Sequence, residues 1–245
     1  MTFVPYLLEY KDCLGGIICY NKLYKESNHI YFMADLKPIK KSYSERKDII
    51  KNRLKHFKNV WNEDDKRIFA ELCFCLLTPQ SKAKICDKAI ETLVKTKLLF
   101  NGTEKNIKDH LIGVRFNNNK ARYIIQAREM FGNSSSIKIK NKIKEFKDNL
   151  ELREWLVNNV KGVGYKESGH FLRNIGMYEN ITILDRHILK NLHKYNIIGE
   201  IPKSLSKNKY FEIEEKMKKF ADEIKIPVEE LDLLFWSEET GEVFK

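Results

Sequence analysis

The sequence predicts a mainly α-helical protein. Apolar residues recur at helical spacing through most of the 245 residues, a pair of glycines (Gly162 and Gly164) parts two such runs, and Pro202 and Pro227 punctuate the C-terminal helices. The beginning is the exception. Residues 15–24 (GGIICYNKLY) and 29–36 (HIYFMADL), separated by KESN, read as a short β-hairpin. Residues 1–40 form an extension of unassigned role ahead of a single domain, 41–245.

In chain order, a basic amphipathic helix starts at Tyr43 or Ser44 and runs through Ile49, Ile50, Leu54 and Phe57. Residues 64–77 make an apolar helix halted near Thr78-Pro79, because proline restricts the residue before it and cannot donate its own N–H. Residues 83–99 make another. The polar and basic stretch 117–122 reads as a solvated turn before a helix over 121–131. Ser134-Ser135-Ser136 marks a loop, followed by a lysine-rich helix. Leu150, Leu152, Trp155, Leu156 and Val160 then predict an amphipathic helix over 149–160. The glycines interrupt it, and Phe171, Leu172 and Ile175 predict that a helix resumes at Tyr165 or Lys166. The unit 149–176 is thus helix, tight hairpin, helix. After the apolar run 181–184, Asp185 caps a helix from Arg186, and Leu231, Leu234 and Phe235 mark a core helix near the end.

The chemistry concentrates at the hairpin. Backbone N–H groups at Gly162, Val163 and Gly164 and at the next helix N-terminus suit a phosphate. Lys166 falls in the first turn of that helix, where the positive end of the dipole disfavours an ammonium and favours the free, nucleophilic amine. Asp185 follows 19 residues later. A carboxylate there can cap its helix and also stabilise an oxocarbenium-like transition state; the two uses are compatible.

These words carry a resemblance. VKGVGYKESGHFLRNIG (160–176) followed by ILDRHIL (183–189) resembles the helix-hairpin-helix DNA glycosylase superfamily, whose best-known members are similar to endonuclease III. The wording is nearest its type-2 branch of 8-oxoguanine DNA glycosylases, as are ELCFCLLTPQSKAK (71–84) and LDLLFWSEETGEVFK (231–245). The resemblance covers about residues 42–245. It implies two helical subdomains with a DNA-binding cleft between them, excision of 8-oxoguanine from double-stranded DNA, and strand cleavage by β-elimination. It also implies site residues: Lys166 as Schiff-base nucleophile, Asp185 as catalytic carboxylate, His187 near the DNA backbone, and Gly162, Val163 and Gly164 on a phosphate. Gln80 matches a wedge that fills the gap left by a flipped nucleotide, and Trp236 and Lys245 match positions that hold the damaged base. The same catalytic pair could serve an oxidised pyrimidine, and a non-catalytic helix-hairpin-helix protein could bind DNA through backbone contacts alone.

Composition agrees with a polyanionic partner. Lys+Arg number 45 against 34 Asp+Glu, a formal net charge of +11. No stretch approaches the roughly 18 uncharged apolar residues of a membrane span, and Glu9, Lys11 and Asp12 break the apolar start, so neither membrane attachment nor a signal peptide is expected. The expectation is a cytoplasmic, nucleoid-associated monomer. Cys13, Cys19, Cys73, Cys75 and Cys86 read as free thiols. Many endonuclease III-like relatives carry an iron–sulfur cluster on C-terminal cysteines; with no cysteine after Cys86, none is possible here. Neither Cys73-Phe74-Cys75 nor His56 and His110 supply a ligand set, so no metal or other cofactor is expected.

Overall fold

The computed structural model describes residues 23–26, 29–32, 35–133 and 136–245. Strands β1 (Leu23–Glu26) and β2 (His29–Phe32) pair antiparallel, Leu23 opposite Phe32 and Glu26 opposite His29. A hairpin is present where expected, although its first strand begins at Leu23; residues 15–22 lie outside the described residues.

Helix α1 (Lys37–Val60) starts earlier than the sequence pattern suggested. Pro38 sits in its first turn, where a missing N–H costs nothing, and Ile39 is already fully buried. Helix α2 (Asp65–Leu77) is capped by Asp64, whose carboxylate accepts from Arg67 N, and it is buried on nearly every side. The helix expected over 83–99 is two: α3 (Ala83–Lys95) and α4 (Leu98–Asn101), broken at Lys97, whose φ is +60°. After α5 (Glu104–Asp109) comes α6 (Asn117–Phe131). Residues 117–122 are therefore the opening turns of α6, not a solvated turn. Lys120 and Ala121 are buried there, and a polar composition concealed that burial. The short strands β3 (Gly132–Asn133) and β4 (Ser136–Ile137) flank the serine loop, Ser134 and Ser135 of which lie outside the described residues, and the lysine-rich helix is α7 (Ile139–Ile143). The unit over 149–176 is α8 (Asn149–Asn159) and α9 (Tyr165–Asn174). Helices α10 (Arg186–Lys194), α11 (Lys207–Ile224) and α12 (Val228–Thr240) complete the chain.

Two apolar clusters organise these helices. One gathers buried residues from Val60 to Ile181, including Phe69, Leu72 and Phe74 of α2, Leu93 of α3, Ile124 of α6, and Phe171 and Leu172 of α9. The other joins Ile50, Leu54 and Phe57 of α1 to Leu192 of α10, Met217 of α11 and Leu234 of α12. The middle of the chain thus builds one lobe, and the two ends build the other. Cys73, Cys75 and Cys86 are buried free thiols in the first lobe, where burial pushes each up. No described helix is long and apolar enough to cross a membrane.

Candidate active site

The site lies where α9, from the first lobe, meets the segment 181–185 that enters the second. Gly162 makes the hairpin turn at φ +89°, and an added Cβ would stand 2.4 Å from the Tyr123 ring. Gly164 has ordinary extended backbone at φ −103° and precedes α9 directly. Its N–H donates to the Glu167 carboxylate at 3.2 Å, and Val163 N donates to Val160 O at 3.1 Å. The N–H groups of Gly162, Tyr165 and Lys166 make no hydrogen bond among the described residues.

Lys166 is partly buried. Its Nζ donates to Thr78 Oγ1 at 3.2 Å and lies 3.5 Å from Glu167 Oε1. Thr78 itself donates to Cys75 O at 2.9 Å, so the end of α2 fixes the hydroxyl that holds the amine. One turn on, His170 is buried edge-on to Phe74, its ring nitrogens unpartnered; burial pushes its pKa well below the usual range and keeps it neutral.

Asp185 caps α10 as expected. Its Oδ1 accepts from His187 N at 2.8 Å and Ile188 N at 2.9 Å, while Oδ2 makes no hydrogen bond among the described residues. The segment leading to it is held from several sides. Gly169 has no Cβ where Thr182 O passes 3.0 Å from the Cβ position, so the chain can run against α9. Tyr210 of α11 donates to Thr182 O at 2.9 Å and accepts from Leu184 N at 3.2 Å. Glu214, also of α11, accepts from Thr182 N at 2.9 Å and binds Arg153 of α8 in a bidentate pair at 2.7 and 2.9 Å. Arg153 and Glu214 are each 1% exposed. Burial alone would raise the carboxyl, but the guanidinium outweighs it and holds Glu214 below its usual range. This network ties the hairpin unit to the Asp185 segment. The sequence reading missed Arg153, Tyr210 and Glu214; a charged residue at an apolar position of an amphipathic helix, such as Arg153 between Leu152 and Leu156, was the available signal.

Trp236 stands between His187, edge-on at 6.3 Å, and Phe244, stacked at 6.2 Å. Its neighbours Leu231, Leu234 and Phe235 are core, whereas Trp236 is only partly buried. The ammonium of Lys245 is bound by Glu71 (3.0 Å) and Asp87 (2.6 Å), over the Phe74 ring at 4.6 Å. Burial alone would lower the Lys245 pKa, but the two carboxylates outweigh it and raise it. A cavity of about 190 Å³ lies behind this anchor, lined by Arg53, His56, Arg67, Asn174 and Phe244 among others. Lys166 and Asp185 do not line it.

Gln80 is exposed in the α2–α3 turn at φ +54°. Beside it the structure brings Phe116, also unnoticed in the sequence: 54% exposed, at φ +57°, under the Arg115 guanidinium at 5.4 Å. Arg115 N donates to Ser81 Oγ at 3.0 Å and joins the two turns. Left-handed backbone at two exposed non-glycine residues, on turns joined by that hydrogen bond, is the kind of strain that collects at functional sites.

Comparison with known proteins is consistent across sequence and structure. A family profile described as 8-oxoguanine DNA glycosylase matches residues 50–226. An 8-oxoguanine DNA glycosylase/AP lyase of Fusobacterium nucleatum is 48% identical over 208 residues, covering 84% of this chain and 96% of the relative. One of Methanocaldococcus jannaschii is 41% identical over 202 residues, covering 82% and 94%. The crystal structure of the M. jannaschii 8-oxoguanine glycosylase/lyase with a 15mer DNA containing 8-oxoguanine superposes with a TM-score of 0.78 at 37% identity, covering 86% of this chain and 99% of that one.

Proposed function

Since the chain belongs to the 8-oxoguanine DNA glycosylase family, we propose that Lys166 and Asp185 are its catalytic pair. The protein is a bifunctional base-excision repair enzyme that removes 8-oxoguanine from DNA and cleaves the strand at the resulting abasic site. The observations that support the residue assignment are an amine held by Thr78 in the first turn of α9 and a carboxylate with one engaged oxygen at the head of α10, on segments that meet where Gly169 lies against Thr182 O.

The lesion nucleotide must leave the duplex first, which costs a few kcal/mol of stacking and pairing. Gln80 and Phe116, presented on adjoining turns, are suited to occupy the gap it leaves. The amides of Gly162, Tyr165 and Lys166 and the dipole of α9 hold a backbone phosphate nearby. Val163 and Gly164 shape that hairpin, because their own N–H groups are engaged within it. Trp236 offers a partly exposed ring to the extruded base, a contact worth about 1–3 kcal/mol where a base stacks on an aromatic. Lys245 bounds the base site from the α2 side, its ammonium already occupied. His187 lies beside Trp236, on the α10 turn that faces the backbone.

Lys166 Nζ, as the free amine, attacks the sugar C1′. The bond from C1′ to the base breaks, its electron pair leaves with the purine, and the purine takes up a proton. Asp185 stabilises positive charge at C1′ through Oδ2, while two backbone N–H groups hold Oδ1 still. The amine then loses its proton, and its lone pair forms the C1′=N bond as the C1′–O4′ bond breaks and O4′ takes up a proton, giving the ring-opened Schiff base. Loss of a C2′ proton expels the 3′ phosphate, and water releases the lysine.

Borohydride reduction tests the assignment by making the Schiff base permanent. Wild-type protein should be trapped on duplex containing 8-oxoguanine, and Lys166→Ala should lose all trapping while retaining duplex binding. Trapping that survives in Lys166→Ala would remove Lys166 from the nucleophile role. Asp185→Asn, which can still cap α10, should slow excision by about two orders of magnitude or more; an unchanged rate would exclude an essential charge at that position.

A further inference from the structure

Lys120 is a charged residue in the wrong place for its composition. It lies near the start of α6, 4% exposed, and no carboxylate among the described residues forms an ion pair with it. Instead its Nζ donates to Leu77 O at 2.7 Å, Pro79 O at 2.7 Å and Ser81 Oγ at 3.0 Å. These acceptors bracket Gln80. Leu77 O, at the end of α2, has no intrahelical N–H donor because the proline at 79 ends the helix; it receives Lys120 and the weaker donor Cys86 Sγ at 3.2 Å. The same Ser81 hydroxyl receives Arg115 N, from the turn that carries Phe116.

We infer that Lys120 is the positioning residue of the DNA-distorting turn: its ammonium holds the strained backbone at Gln80 and locks that turn to the one bearing Phe116. This rests on the reading of the chain as an enzyme that extrudes its base. Leu77 and Pro79 flank Thr78, which holds Lys166, but Thr78 keeps its own bond to Cys75 O, so loss of the clamp should weigh more on extrusion than on bond breaking.

The charge on Lys120 is exposed to titration. Burial, the largest influence, lowers its pKa to about 8; Lys166 and Arg115 lower it too, while Cys86 and Glu167 oppose them. Above that pH a neutral amine has two donors for the three acceptors, and the turn loosens. The sign for global stability is opposite. A lysine whose pKa falls on folding binds fewer protons in the folded state, so this group makes stability rise between about pH 8 and its unfolded value. Loss of turn function without loss of fold is therefore the signature.

The experiment compares two rates in one preparation: excision of 8-oxoguanine from a fully paired duplex, and borohydride trapping on a preformed abasic site, which needs little extrusion. In Lys120→Met the excision rate should fall about tenfold or more, with trapping within about threefold of wild type, since the Leu77 and Pro79 carbonyls lose a charged donor. Placing the lesion opposite an abasic spacer, where it is unpaired, should recover most of the loss. Lys120→Arg should restore the paired-duplex rate. The ratio of excision to trapping should decline above about pH 8 in wild type and stay level in Lys120→Arg. Equal losses in both assays, no recovery on the unpaired lesion, or a flat wild-type ratio would each overturn the clamp. Failure of wild-type protein to excise 8-oxoguanine at any pH, with trapping intact, would instead overturn the functional reading beneath it.

Discussion

In the hairpin unit Lys166 is the second residue of α9, placed by a glycine turn and a helix start immediately before it. In the C-terminal segment Lys245 is placed by Glu71, 174 residues away in sequence, and by Asp87 of α3, with Glu242 bound to Lys84 on the way. Local geometry presents the first lysine and long-range ion pairs present the second. The difference teaches that the two lysines should fail differently. Disturbing the hairpin unit should harm everything that follows DNA binding, whereas releasing the C-terminal segment should harm only the handling of the base.

The strongest way to break this contrast is through Arg153, since it is the tie between the hairpin unit and the Asp185 segment. Arg153→Met removes the bidentate cation of buried Glu214, leaving it Lys218 at 3.8 Å, and should destabilise the protein by about 3 kcal/mol, read from chemical unfolding. Stability within about 1 kcal/mol of wild type would mean that the hairpin unit is not held by this pair. A smaller but more local disturbance is Gly162→Ala. The φ of +89° and the Tyr123 ring at 2.4 Å from the added carbon should force the turn open, weakening binding to undamaged duplex by about tenfold. Unaltered binding would show that the hairpin amides do not engage a phosphate.

Glu71→Gln sharpens the other side of the comparison. It removes one carboxylate from Lys245 and from Arg67 while keeping a side chain that can still face Asn174. Excision of 8-oxoguanine should slow by a few-fold to about tenfold, the worth of one charge-assisted bond, with trapping on a preformed abasic site near wild type. Equal slowing on both substrates would place Lys245 in the general architecture of the site and out of base handling.

Much of the fold was legible because helices write their own signals. The unit over 149–176 came out as α8, a glycine turn and α9, since amphipathic spacing and glycine punctuation are local. Asp185 was legible as a cap for the same reason. Helix α1 began ahead of its expected start because proline in a first turn reads as a breaker unless the burial of Ile39 is known. Residues 117–122 looked like a solvated turn because asparagine, lysine and arginine are usually exposed; Lys120 is buried only because the carbonyls of a distant turn receive it.

The sequence by itself determined the helical class, the hairpin, and the identity of Lys166 and Asp185 as candidates, all properties that depend on neighbours a few residues apart. The tertiary structure decided how those groups are held. Thr78 lies 88 residues from Lys166, Glu214 lies 61 from Arg153 and 32 from Thr182, and Lys120 reaches back 43 residues to Leu77. The chemistry of a buried polar group depends on which partner satisfies it, and that partner is chosen by packing between elements far apart in sequence, which no local pattern along the chain encodes.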